Sequence, residues 1–155
     1  MSRRHIPAGT QADGVDPVSF SAGDAGWTYT GLRVIALRPG DFCVNDTANT
    51  EMFVLPLSAT GITVEAANER FELAGRASVF ARVTDFAYVG RDTAVSITSA
   101  SGGEIALPSS RCERALPPRY GAAEDVAVEI RGAGPASRQV TNFASPEAWP
   151  HADQL

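Results

Sequence analysis

The chain is 155 residues long, 44% apolar, and carries a net charge of −5. That length fits one domain with a single hydrophobic core, and that apolar fraction excludes a disordered chain. The charges are spread along the sequence rather than clustered, which excludes the dense basic surface that nucleic-acid phosphates require.

Residues 1–26 carry Gly, Pro, Asp and Ser at short intervals and read as an irregular arm. The charged start, Met1 to Gly9, has no apolar run behind it, so it does not read as a secretory leader. No stretch approaches the ~20 apolar residues of a membrane span. The expectation is a cytoplasmic protein without a membrane partner.

From Trp27 the pattern changes. Leu32, Val34 and Ala36 alternate with Arg33, Ile35 and Leu37, and the run ends at Arg38-Pro39-Gly40, a turn signal. Residues 51–57 are a continuous apolar run behind Glu51 and suit a buried strand. Pro56 within it predicts a bulge or a sheet edge. Residues 61–66 and 70–73 flank Ala67-Asn68 as a hairpin. Short runs follow at 78–81, 84–89, 93–98 and 103–107. A short helix is the most that 122–125 supports. Residues 126–131 then alternate again, and Gly132-Ala-Gly-Pro135 separates them from 137–143. Strands this short, at spacings of roughly 8–12 residues, predict an all-β sandwich or barrel. The tail from Ser145 to Leu155 ends without an element of its own. Its Trp149 has no local partner in the pattern and is expected to pack against something supplied from elsewhere.

The chemistry-bearing residues are sparse. His5 and His151 stand alone, with no second histidine at metal-ligand spacing. No Gly-x-Ser-x-Gly elbow is present, and any serine nucleophile would depend on one of those two histidines as base. All thirteen basic residues are arginine, so lysine Schiff-base chemistry is excluded. Cys43 and Cys112 match no paired spacing and read as two reduced thiols. The glycines at 102–103 and 132–134 read as turn residues. Glu51 and Asp85 each open a strand, where a carboxylate can be a ligand or an acid–base group but is more often a turn or cap residue. Arg131 and Arg138 flank a Gly-rich turn and could clamp a carboxylate bidentately, or simply pair with Asp or Glu. No residue is assigned to catalysis or to a metal.

The frame around residues 40–51 resembles a cupin, a small double-sheet β-barrel of the jelly-roll type. Gly40 and Glu51 stand where the first cupin motif has its Gly and Glu. The histidine positions fall on Asn45 and Thr47, or on Val44 and Asp46. The second motif resembles Tyr88 to Val95, with Gly90 in place of the usual Pro and Ala94 or Val95 in place of the histidine. The frame is similar and the ligands are absent.

A closer resemblance runs through residues 25–143. It is carried by Gly26-Trp-Thr-Tyr-Thr-Gly-Leu32, Leu55-Pro-Leu-Ser58, Leu73-Ala-Gly-Arg-Ala-Ser-Val-Phe80, Thr84-Asp-Phe-Ala-Tyr-Val89, Arg91-Asp-Thr-Ala-Val95 and Arg131 to Phe143. These segments, in this order, are similar to the 5-deoxy-glucuronate isomerases of myo-inositol catabolism. The last one is the most specific.

That family has two cupins and nearly twice this length. The resemblance therefore implies an N-terminal cupin of a bicupin: an arm at 1–26, a cupin-like barrel at 27–143, and a linker toward a second cupin at 144–155. It implies an aldose–ketose isomerisation of a sugar acid. The divalent metal, zinc or manganese, is expected in the second cupin and not in this chain. Implied partners are the sugar-acid substrate, the second cupin and a further copy of the chain, joined at unpaired strand edges. Arg138 and Asn142 are the candidates for the rim of the substrate site, Arg138 for a carboxylate and Asn142 for a hydroxyl. The alternative is a degenerate, non-catalytic cupin that binds a sugar acid or serves as an oligomerisation scaffold.

Overall fold

A computed structural model describes residue 7 and residues 9–155. His5 lies outside the described residues. Among the described residues, twelve strands form two facing sheets and a separate ribbon. The larger sheet holds β1 (Val18–Phe20), β2 (Thr30–Leu37), β9 (Gly103–Arg111), β4 (Thr50–Pro56), β7 (Phe86–Val89) and β10 (Arg119–Gly121), in that order. The smaller sheet has the order β3 (Phe42–Asp46), β8 (Ala94–Ser99), β5 (Thr60–Ala66) and β6 (Glu69–Gly75). The named pairings are all antiparallel. The all-β architecture expected from strand spacing is the one observed, and it is jelly-roll-like, as the cupin resemblance implies.

Alternation decides what lies between the sheets. Ile35, Met52, Val54, Ile62, Val64, Val95, Ile97, Ile105 and Leu107 point inward and form one buried cluster. The 61–73 hairpin forms as expected. Ala67 and Asn68 both have positive φ, 49° and 67°, the geometry of a two-residue turn that follows strand twist.

The larger sheet is also covered on its outer side, which explains why β7 is buried at all four positions. Phe53, Phe86 and Tyr88 project outward from β4 and β7 into a second cluster with Val126, Leu116, Phe143, Trp149 and Leu155. The segment 144–155, expected to be a linker, is thus a strap across the outer face of the sheet. Trp149 finds its partners within the chain: its ring meets Phe86 edge-on at 4.8 Å and Phe53 at 6.2 Å between centroids.

Other expectations are corrected. Within the supposed arm, Val18–Phe20 is an edge strand on β2, and Ala22–Ala25 is one helical turn capped by Ser21 and Asp24. Residues 78–81 form a turn, not a strand. Pro56 marks neither bulge nor edge: β4 is central, and Pro56 is its last residue, beyond the part paired with β7. A missing N–H costs least at a strand end. At 122–125 a single 3-10 turn, Ala123–Asp125, is all that forms. No helix among the described residues is long and apolar enough to cross a membrane.

Candidate functional site

One end of the space between the sheets stays open. The cleft there has a volume of about 230 Å3 and is lined by Arg33, Asn45, Thr50, Met52, Ser109 and the β1 end. Arg33 enters it because it shares the inward face of β2 with Ile35, one step beyond the apolar core. Its Nε donates to Asp16 at 2.6 Å and its Nη1 to the Asn45 side-chain oxygen at 3.2 Å. Burial of the guanidinium works against its charge, but Asp16 and the Cys43 sulfur more than offset that. The cleft is therefore polar, hydroxyl-rich and locally neutralised. It can hold a small polar molecule, with the Asp46 carboxylate at its edge accepting the Ala48 N–H at 2.7 Å.

The structure sorts the cupin-like positions. Asn45 shares the inward face of β3 with Cys43, so of the two sequence registers the one through Asn45 faces the barrel. Val44 and Asp46 are exposed on the other side. Thr47 has left the strand: its hydroxyl donates to the Gly90 carbonyl at 2.9 Å and accepts the Thr93 N–H at 2.9 Å, fastening two turns. Val95 is core, Ala94 is exposed, and Gly40 is a turn residue with φ of 80°.

Glu51 overturns its assignment as a ligand remnant. It sits beside Met52, so it points to the outer face of the sheet, away from the barrel. There it is fully buried. It accepts the Tyr88 hydroxyl at 2.7 Å and the backbone N–H groups of Asp153 at 2.8 Å, of Gln154, and of Leu155 at 2.7 Å. Burial, then the Glu51 carboxylate, push the Tyr88 phenol well above its ordinary range. The same two causes raise the Cys112 thiol nearby. This is a clasp that holds the strap.

The clasp has a reciprocal half. Asp153 accepts the Arg114 guanidinium at 2.7 Å and the N–H groups of Glu113 and Arg114 at 2.9 and 3.2 Å. Those contacts hold its carboxyl at about 2, below the ordinary 3.8. A carboxyl depressed in the fold stabilises fully above its unfolded value and loses that contribution as pH falls through its folded one. Asp153→Asn should therefore unfold at lower urea than the parent at pH 6. The gap should close between about pH 4 and about pH 2; a gap that persists at pH 2 would place the effect elsewhere.

The remaining candidates are scattered. Arg138 and Asn142 share one face of β12 (Arg138–Asn142), which among the described residues pairs only with β11 (Ala127–Arg131), in the ribbon outside both sheets. Arg138 donates to the Ala136 carbonyl, and the Asn142 amide donates to Glu129. Arg131 also pairs with Glu129, at 2.9 Å. Asp85 is a structural tie that accepts the N–H groups of Ala74 and Gly75 and the Tyr120 hydroxyl. His151 stacks edge-on against Trp149. Cys43 and Cys112 are free thiols.

Among the described residues no three His, Cys, Asp or Glu side chains converge as a metal site. The inward donor at the barrel mouth is an amide already bonded to a guanidinium, which does not fit a divalent metal. Sequence reasoning missed Arg33 and Asp16, which meet only through the β1–β2 pairing.

Comparison with known proteins gives a consistent answer. The sequence model of the KduI/IolB family matches residues 6–155. A 5-deoxy-glucuronate isomerase of Bacillus velezensis is 38% identical over 129 residues, covering 82% of this chain and 47% of the relative. One from Geobacillus kaustophilus is 30% identical over 157 residues, covering all of this chain and 56% of the relative. Among solved structures, an IolB-like protein from Salmonella typhimurium LT2 superposes with a TM-score of 0.80 at 27% identity. That match covers 88% of this chain and 52% of the other. The chain spans about half the length of the relatives it matches.

Proposed function

Because the chain belongs to the KduI/IolB family, we propose that it is the N-terminal cupin half of a 5-deoxy-glucuronate isomerase acting in myo-inositol catabolism. The observation that carries this reading is a family match along nearly the whole chain, to isomerases of which it spans only about half. In this reading the second cupin supplies the divalent metal, zinc or manganese, and the base that moves a proton between adjacent carbons of the sugar acid.

This half then supplies scaffold, contacts within an oligomer, and polar groups at the rim. Arg138, exposed and without an acidic partner among the described residues, would meet the substrate carboxylate. Asn142 would meet a hydroxyl. Metal analysis and an isomerase assay on the 155-residue chain test the reading. The expected result is no stoichiometric metal and no turnover. Measurable turnover would show that the chemistry lies in this half and would overturn it.

A second reading is favoured by the barrel mouth. Arg33, Asn45 and the serines of that cleft suit a non-catalytic cupin that holds a sugar acid or serves as a scaffold. The same assay distinguishes the two when the chain is supplied with a second cupin: only the first predicts that turnover appears.

A further inference from the structure

Arg76 departs from the way buried arginines are usually accommodated. It is only 8% exposed, yet no carboxylate among the described residues pairs with it. Its Nε donates to the Pro56 carbonyl at 2.9 Å and its Nη1 to the Arg82 carbonyl at 3.2 Å. Nη2 makes no protein hydrogen bond among the described residues. Burial alone lowers its pKa, with no neighbouring anion acting the other way. A buried cation is ordinarily paired, because its desolvation is otherwise uncompensated.

The fold holds Arg76 in this position. Gly75 ends β6 with φ of 68°, and a Cβ there would lie 2.2 Å from the Ala59 carbonyl oxygen. The chain therefore crosses tightly over Ala59, and the Arg76 N–H bonds that same carbonyl at 2.9 Å. The side chain is thereby aimed into a groove of about 580 Å3 between the 76–83 loop and β12.

The groove wall has a distinct chemistry. Arg82 lines it with no acidic partner among the described residues, its Nε bonded only to the Val83 carbonyl. Gln139 and Thr141 line the facing side, and Val79 and Phe80 form an apolar lip, Phe80 being 95% exposed. Arg138 and Asn142 point to the opposite face of the ribbon, by strand alternation. The groove is thus separate from the proposed substrate rim and from the barrel mouth.

We propose that this groove is a binding site for a small hydroxylated organic carboxylate. The Arg76 Nη2 edge and Arg82 take the carboxylate, Gln139 and Thr141 take hydroxyls, and Phe80 covers the carbon chain. Two guanidinium groups without acids, one of them buried, supply the charge complement. The facing amide and hydroxyl are side chains that both donate and accept, as a polyol requires. The inference goes beyond the isomerase reading and does not depend on turnover.

D-Glucuronate is the probe, with acetate and inorganic phosphate as comparisons, titrated into the 155-residue chain and followed by amide NMR. Saturable shifts are expected at residues 79–83, Gln139 and Thr141, with D-glucuronate binding more tightly than acetate or phosphate. Arg76→Gln should weaken D-glucuronate binding by about tenfold or more, the scale of a lost charge-assisted hydrogen bond. Arg82→Ala and Thr141→Val keep the test independent of folding, because both side chains are peripheral; each should weaken binding severalfold.

The proposal fails if D-glucuronate shows no saturable shift, or if Arg82→Ala and Thr141→Val bind it as the parent does. It fails equally if shifts centre on Arg33, Asn45 and Ser109. Concentration-dependent shifts of groove residues without ligand would make the carboxylate that of a second copy, and would also overturn it.

Discussion

Glu51→Ala is expected to lower stability by about 3 kcal/mol, since buried donors left without an acceptor cost roughly 1–3 kcal/mol each. Four donors converge on this carboxylate: the Tyr88 hydroxyl and the N–H groups of Asp153, Gln154 and Leu155. The loss stops short of their sum because the strap can peel off and return its N–H groups to water. A domain of this size should then melt about 6–12 °C lower. Glu51→Gln should lose less. Its amide oxygen can still accept from the strap, and the Tyr88 hydroxyl can rotate to accept from the new NH2. The amide remains weaker than the carboxylate, because ionised acceptors bind roughly twice as strongly. Thermal melts read this order directly. A Glu51→Ala variant melting within 1–2 °C of the parent would show that the clasp contributes nothing, whatever its geometry.

The sheets were legible in the sequence and the strap was not, for a physical reason. Period-2 alternation in 32–37, 61–66 and 126–131 reports which face of a strand meets a neighbour, and that signal is local. It places β2, β5 and β11 correctly. It also registers Glu51-Met-Phe-Val as a run buried on both faces, without saying what buries the second face. The cover is Phe143, Trp149 and Leu155, which carry no periodicity and are ordered by contacts made about a hundred residues away in sequence.

The same limit applies to the candidate sites. A Glu at a strand start looks alike whether it faces a barrel or a strap, so Glu51 fitted a ligand motif that the pleat excludes. Arg33 reads as a polar interruption of an apolar strand, and only the β1–β2 register brings Asp16 to it. Arg76 gave no signal at all: an arginine in a Gly-Arg-Ala turn predicts exposure, and the close crossing at Gly75 is what buries it.

Trp149 provides the second large effect, and its variants separate packing from hydrogen bonding. Trp149→Ala should cost about 3 kcal/mol, the lower end for aromatic truncation, because the residue is only half-buried. Trp149→Phe should cost about 1 kcal/mol or less. A phenyl ring keeps the edge-on contacts with Phe53 and Phe86, and it removes an indole N–H that is buried without a partner among the described residues. Equal losses in the two variants would mean that the indole nitrogen matters, contrary to its lack of a partner. Fluorescence follows the strap itself. Trp27 is the one other tryptophan and is 46% exposed, so release of the strap should shift emission to the red in Glu51→Ala. Because Glu51 and Trp149 hold the same segment, their effects should not add. Once either anchor is lost and the strap has left the sheet, removing the other costs little. The double variant should therefore be only slightly less stable than the worse of the two single ones. A fully additive double variant would mean that the two anchors stabilise separate units, and that residues 144–155 do not leave the sheet as one strap.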